Sequence, residues 1–170
     1  DEKAGTLCIV DDRRDLKGLI AVRDIANANM DILDTEVLAT SRTRYENILS
    51  TLDATMVLGD PEQVITSGKM CVGTTPEMME DMVEEGDIVL CTNRYETQQF
   101  AVDCGAQCLI ICCDAHVSPR VVASAERNGC AIIATPYDTY AAARLVTMSI
   151  PVRAKMLPSD KILRFSVNTS

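Results

Sequence analysis

Gly105-Ala106-Gln107-Cys108-Leu109-Ile110-Ile111-Cys112-Cys113, followed by Ser118-Pro119 and closed by Gly129, is the stretch that decides the fold. Cys108 to Cys112 is apolar without alternation, so it reads as a strand buried on both faces. Ser118 ahead of Pro119 marks a helix start with proline at the first helical position, and Gly129 marks its end. Ala131-Ile132-Ile133-Ala134 then supplies the next buried strand. Strand, helix, strand at this spacing is the unit of a parallel sheet.

The same alternation extends in both directions. Upstream, Ile88 to Cys91 is a strand, Asn93 with Glu96 forms a capping box, and Gly105 ends the helix it opens. Thr75-Pro76 opens an earlier helix that runs to Gly86, after a strand at Lys69 to Gly73. Thr55 to Leu58 is a strand broken by Gly59-Asp60-Pro61. Thr43 with Glu46 is a second capping box, with a helix to about Asp53, and Val37 to Thr40 reads as a short strand before it. Downstream, Asp138 caps a last helix to about Ser149, and Pro151 stops it. Short buried strands alternating with amphipathic helices imply an α/β fold, three layers α/β/α around a mostly parallel sheet. Thr43-Arg44-Tyr45-Glu46 echoes Asn93-Arg94-Tyr95-Glu96; shared capping chemistry is enough to explain the echo.

The first thirty-odd residues differ. Thr6 to Val10 is apolar, Asp11-Asp12-Arg13-Arg14-Asp15 is a charged turn, and Leu16 to Val22 returns as a strand. Asp24 then caps a helix through Met30.

Composition narrows the function. The chain has 170 residues, 47% hydrophobic and 24% charged, which is ordinary for a globular protein. Its net charge of −9 disfavours a binder of nucleic acid or of an anionic membrane, either of which needs a basic face. No apolar run approaches the ~20 residues of a membrane span, and no secretory signal is visible behind Asp1-Glu2-Lys3, so a cytoplasmic location is expected. The first residue is not methionine, and both ends read as cuts through a longer protein. The eight cysteines sit mostly inside apolar runs, as small hydrophobes in a reducing compartment rather than as disulfides. The Cys104, Cys108, Cys112, Cys113 spacing crosses a helix end and a strand, so these thiols diverge and no metal site is expected.

Candidate chemistry is sparse. His116, the single histidine, follows a strand end, where α/β folds place ligands. It is the best acid–base candidate, with Asp138 as its conceivable partner; a solvated loop histidine is the simpler reading. Thr135-Pro136-Tyr137-Asp138 opens a helix at another strand end, but the Asp138 carboxylate would compete there with any anion. Glu77-Met78-Met79-Glu80-Asp81-Met82-Val83-Glu84-Glu85 reads as a helix with a Met/Val core face and a solvated acidic face. Phosphate loops rich in glycine and a Gly-x-Ser-x-Gly elbow are both missing.

Taken together, the pieces resemble a known arrangement. Leu16-Lys17-Gly18-Leu19-Ile20-Ala21-Val22-Arg23-Asp24-Ile25-Ala26 resembles the second half of a CBS motif. The chain from there through Ile150-Pro151-Val152 resembles a DRTGG domain, most specifically at Ala134-Thr135-Pro136-Tyr137-Asp138-Thr139-Tyr140. Leu157 to Ser170 resembles the opening of a second CBS motif. On this resemblance, residues 1–33 are the C-terminal half of a CBS motif (a partial β-β-α unit), 34–153 the DRTGG domain and 154–170 the start of the second CBS motif. The order is similar to the regulatory insert of manganese-dependent (family II) inorganic pyrophosphatases.

That resemblance implies a regulatory and dimerisation segment, catalytically inactive itself and without a cofactor of its own. Its parent would hydrolyse pyrophosphate in the cytosol with Mn²⁺. Adenine nucleotides would bind a complete CBS pair, with Asp24 meeting the ribose. Three residues before Asp24 the motif usually has Ser or Thr; here it is Ala21, and a hydroxyl is lost. The five-letter DRTGG signature is absent, and the Gly-Gly turn of the family is replaced by Cys113-Asp114, side chains that resist positive φ. Homodimerisation is expected, because the N-terminal half-motif leaves apolar strands seeking partners. Two further readings stay open. One is an anion- or nucleotide-sensing DRTGG-type domain of another phosphate-handling enzyme, such as a phosphotransacetylase, with the turns near Asn93, Asp114 and Thr135 lining the site. The other is a free-standing enzyme using His116 and Asp138.

Overall fold

A computed structural model describes residues 6–21, 35–151 and 157–158. The chain divides into two compact units, Asp1–Asp31 with Pro151–Ser170, and Ile32–Ile150.

In the first unit, β1 (Thr6–Val10) and β2 (Leu16–Ala21) form an antiparallel hairpin in which Cys8 faces Leu19. The charged turn closes because one carboxylate organises it. Asp11 Oδ1 accepts the N–H groups of Arg13 and Asp15, both at 2.9 Å, and Asp11 also pairs with Lys17 at 2.8 Å. Leu157–Pro158 adds a short antiparallel strand on the other side of β2, opposite Gly18 and Leu19. β2 is thus paired on both sides, while among the described residues β1 keeps one open edge, as expected. Asp24 and the helix expected after it lie outside the described residues.

The second unit is built on a five-stranded sheet. In chain order it carries α1 (Val37–Thr40), α2 (Tyr45–Thr51), β3 (Thr55–Leu58), β4 (Met70–Val72), α3 (Pro76–Met79), β5 (Ile88–Cys91), α4 (Tyr95–Asp103), β6 (Cys108–Ile111), α5 (Pro119–Asn128), β7 (Ala131–Ala134) and α6 (Thr139–Val146), which a 3₁₀ turn extends to Ser149. The strand order is β3-β7-β6-β5-β4. β4 to β7 are mutually parallel and β3 is antiparallel to β7. The α/β architecture with a mostly parallel sheet is thus as expected.

The two sheet faces have separate cores, because successive residues of a strand point to opposite faces. Ile88, Leu90, Ile110 and Ile133 pack with Leu38, Tyr45, Ile48, Ala142 and Val146 of α1, α2 and α6. Val89, Leu109, Ile111 and Ile132 pack with Ala101, Val102, Val121 and Ala125 of α4 and α5. The central strands β5 and β6 are buried along their whole length, which is why their sequence shows no alternation. Ser118 and Asp138 cap α5 and α6, accepting the N–H of Val121 at 3.3 Å and of Ala141 at 2.8 Å. Gly129 ends α5 at φ 68°, a left-handed conformation that suits glycine.

Three local expectations fail. Val37–Thr40 is one turn of helix rather than a strand. A four-residue apolar run cannot declare its period, and the Thr40 hydroxyl donates back to the Val37 carbonyl at 3.2 Å, a bond only a helical turn offers. Neither capping box forms: Arg44 and Arg94 occupy the cap positions, without a side-chain cap. Thr43 is buried instead, with its hydroxyl unpartnered, and Glu46 takes the Arg44 guanidinium at 3.2 Å. The acidic helix ends at Met79 rather than near Gly86. The Asp87 carboxylate accepts the N–H of Glu84 at 2.9 Å and turns that segment into a loop. Met79 and Val83 still face the core, so the apolar spacing survives without a full helix.

Candidate functional site

In a parallel sheet the loops after the strands gather at one edge, where α/β proteins place ligands. Here the turns after β5, β6 and β7 bring Asn93, Asp114 and Thr135 to that edge, as expected. The edge is held together by its own backbone. Cys113 sits at φ 62° and Asp114 at φ 48°, and the Ala115 N–H donates to the Cys112 carbonyl at 3.2 Å, so a tight turn with two left-handed residues forms without glycine. Cys113 and Asp114 thus carry the cost of positive φ where a Gly-Gly turn would not. The Cys113 N–H donates to the Tyr137 carbonyl at 2.8 Å and the Asp114 N–H to the Thr135 carbonyl at 3.0 Å; these two bonds hold the turn in place.

The remaining turns are tied by side chains that donate to backbone carbonyls. Gln98 Nε2 donates to the carbonyls of Thr92, at 2.6 Å, and His116, at 3.3 Å. Thr97 Oγ1 donates to the Thr74 carbonyl at 2.6 Å, and buried Thr135 Oγ1 to that of Leu52 at 2.7 Å. Backbone N–H groups that would greet an anion at the Cys113-Asp114 turn therefore already have acceptors. His116 is exposed, and Asp138 spends one carboxylate oxygen on its cap. Both side chains lie at the surface rather than in a closed cleft.

The opposite edge, at the strand starts, is held by side chains. Asp87 is only 2% exposed. Its two oxygens accept from Lys69 N and Glu84 N, both at 2.9 Å, and from Cys71 Sγ at 3.5 Å; Lys69 Nζ lies 3.6 Å away and also pairs with Glu84. Gln107, at the start of β6, donates through Nε2 to the carbonyls of Ser67 and Gly86 and accepts from the Tyr45 hydroxyl at 3.4 Å. Gly68 has φ +82°, and a Cβ there would overlap the Gly86 carbonyl, so this close approach requires glycine. A basin of about 400 Å³ opens beside this knot, lined by Glu36, Ser67, Lys69, Glu84 and Asp87 among others. Its carboxylate closest to the core, Asp87, is already saturated by partners.

The thiols are chemically quiet. Burial pushes Cys91 and Cys130 up to about 12 and Cys71 and Cys112 up to about 11, and it holds Cys108 well above the usual thiol range. At neutral pH these five buried thiols stay protonated and are weak nucleophiles. Among the described residues, no His, Cys, Asp and Glu side chains cluster as a metal site. No helix among the described residues is long and apolar enough to cross a membrane.

Residues 47–149 match the DRTGG domain family. The cobalt-dependent inorganic pyrophosphatase of Clostridium perfringens (strain 13 / Type A) is 30% identical over 153 residues, 89% of this chain and 28% of that protein. A probable manganese-dependent inorganic pyrophosphatase of Thermotoga maritima is 25% identical over 140 residues, 82% of this chain and 26% of that protein. The chain thus spans about a quarter of the length of these curated relatives. In structure it is similar to the CBS and DRTGG domains of the regulatory region of the Clostridium perfringens pyrophosphatase, solved with the activator diadenosine tetraphosphate. The TM-score is 0.82 at 30% identity, covering 92% of this chain and 69% of that one.

Proposed function

The chain belongs to the DRTGG domain family, with a sequence homologous to a CBS/DRTGG regulatory region, and on that premise we propose that it is the regulatory and dimerisation segment of a cytoplasmic, metal-dependent inorganic pyrophosphatase. The observation that carries this reading is the match to a pyrophosphatase regulatory region over 92% of the chain. Residues 1–33 and 154–170 supply parts of two CBS motifs, and 34–153 the DRTGG unit between them. The parent hydrolyses pyrophosphate with Mn²⁺ or Co²⁺ held elsewhere, and this segment has no hydrolytic activity. The sensing reading, with a ligand between the strand-end turns, is less favoured because the Cys113-Asp114 turn already spends its N–H groups on the Tyr137 and Thr135 carbonyls.

Regulation rests on differential affinity. A nucleotide bound to the complete CBS pair of a homodimer shifts the enzyme only as far as it prefers one arrangement of the two halves over the other. Asp24 receives the ribose hydroxyls in this scheme. The DRTGG unit, with its central strands β5 and β6 buried on both faces, transmits the change as a rigid body.

Calorimetry with diadenosine tetraphosphate on a chain extended to hold both whole CBS motifs tests this. Saturable binding that is lost in Asp24→Ala is the expected result; binding indifferent to Asp24→Ala, or none, overturns the assignment. Hydrolysis of pyrophosphate by the 170-residue chain with Mn²⁺, abolished by His116→Ala, would overturn the inactive status instead.

A further inference from the structure

The sheet face beneath α6 is not fully covered. Helix α6 drives Ala142 and Val146 into the core over β5. Met70 and Val72 of edge strand β4 point to the same face as Leu90, beyond the reach of that helix. The result is a groove of about 280 Å³ with Met70, Val72 and Leu90 as its floor and Tyr140, Ala143 and Arg144 along its helix wall. Tyr140, Ala143, Arg144 and Thr147 form a second stripe at helical spacing, beside the stripe that faces the core.

Two properties of this groove point to one kind of ligand. It is apolar and open: Val72 is 43% exposed and Tyr140 71% exposed, and small Ala143 between Tyr140 and Arg144 leaves room for a flat ring. It also carries one sign of charge. Arg144 is the one charged residue among those lining it, and no carboxylate pairs with Arg144 among the described residues. Its guanidinium lies 5.7 Å from the centre of the Tyr140 ring and donates to the Tyr140 hydroxyl at 3.1 Å. The cation is thus positioned over an aromatic wall, with donors left for an anion.

We propose that this groove binds a small flat aromatic ring bearing a phosphate or similar anionic group. The ring lies between Tyr140 and the Val72–Leu90 floor, and the anion meets Arg144. The volume is near the lower end of small-molecule pockets, about 300 Å³, which suits a single ring system. The site lies wholly within Ile32–Ile150 and does not depend on where the CBS motifs bind nucleotide.

The test is an amide-resolved NMR titration of the 170-residue chain with phenyl phosphate, inorganic phosphate and benzyl alcohol. Phenyl phosphate is expected to shift the amides of Val72, Tyr140, Ala143 and Arg144 saturably, with a dissociation constant on the order of millimolar. Each half-ligand should bind about ten-fold more weakly, and Arg144→Met and Tyr140→Ala should each weaken phenyl phosphate about ten-fold. Arg144→Lys should keep part of the affinity, and Arg120→Met all of it. Both wall side chains are exposed, so these variants should keep the thermal midpoint of the parent chain. Three outcomes would overturn the proposal: shifts centred elsewhere, affinity unchanged in Arg144→Met, or groove amides that broaden with protein concentration alone, which would mean a second copy fills the groove. Loss of diadenosine tetraphosphate binding in Asp24→Ala bears on the regulatory reading and leaves this one untouched.

Discussion

The two ends of the central sheet are secured by different chemistry. At the strand ends, the Cys113-Asp114 turn bonds backbone to backbone with the Thr135–Tyr137 loop, while Thr97, Gln98 and Thr135 each tie single side-chain bonds to neighbouring carbonyls. At the strand starts, a buried carboxylate and a buried amide do the work: Asp87 gathers Lys69, Glu84 and Cys71, and Gln107 gathers Ser67, Gly86 and Tyr45. Backbone bonds survive most side-chain changes, whereas a side-chain hub fails with one substitution. The Cys113-Asp114 turn, at the end where α/β proteins place ligands, is therefore the tolerant feature here, and the side-chain hub at the other end is the brittle one.

The sharpest way to break this contrast is Asp87→Ala. It strands two N–H groups and leaves Lys69 with Glu84 alone, so a loss of about 3 kcal/mol is expected in urea unfolding. A loss no larger than that of a surface substitution would remove the distinction between the two ends. Gln107→Ala should cost about 2 kcal/mol, since two carbonyls lose their donor in a tight place. Calorimetric melting of the variant checks it.

The thiols add a pH dependence. In the folded chain burial holds Cys71 and Cys112 at about 11 and Cys91 and Cys130 at about 12, against 9.0 for a free thiol. Above pH 9.0 the unfolded chain loses these protons while the folded chain keeps them, so unfolding is increasingly favoured. Stability should be fully present below pH 9.0 and fall as pH rises toward 12, by about 1 kcal/mol per thiol between pH 9 and 10. Urea midpoints at pH 8 and pH 10 measure the fall, and Cys91→Ala should shallow it. The smallest effect belongs to the tolerant end. Cys113→Gly should stabilise by about 0.5 kcal/mol, because glycine relieves the left-handed strain and gives part of the gain back as unfolded-chain entropy. A destabilised Cys113→Gly would mean that the exposed thiol makes a contact worth more than that strain.

Much of the fold was legible in the residues. Elements whose signal is chemical and local were read correctly: Ser118-Pro119 and Gly129 around α5, Asp138 ahead of α6, and the unbroken apolar runs of β5, β6 and β7. Errors came where a neighbouring side chain claimed the group that a local rule had assigned elsewhere. Glu46 could have completed a capping box, but the helix starts one residue late and the Arg44 guanidinium claims it. The acidic helix stops at Met79 because Asp87 recruits the Glu84 N–H. The strand-end turns were placed at their edge of the sheet, but the α6 groove was not found. Tyr140 and Arg144 read only as helix surface until β4 is known to lie at the edge of the sheet.

Hydrophobic runs, caps and glycine stops, all properties of neighbouring residues, determined by themselves the α/β class, the strand–helix alternation from β5 onward and the family resemblance, because secondary structure is specified within a few residues. Tertiary structure alone decided that Asp87 and Gln107 are hubs, that Cys113 and Asp114 adopt left-handed backbone, and that one corner of the sheet stays open. Those features depend on strand order, and strand order is set by which apolar faces meet across the whole chain rather than by any stretch of it.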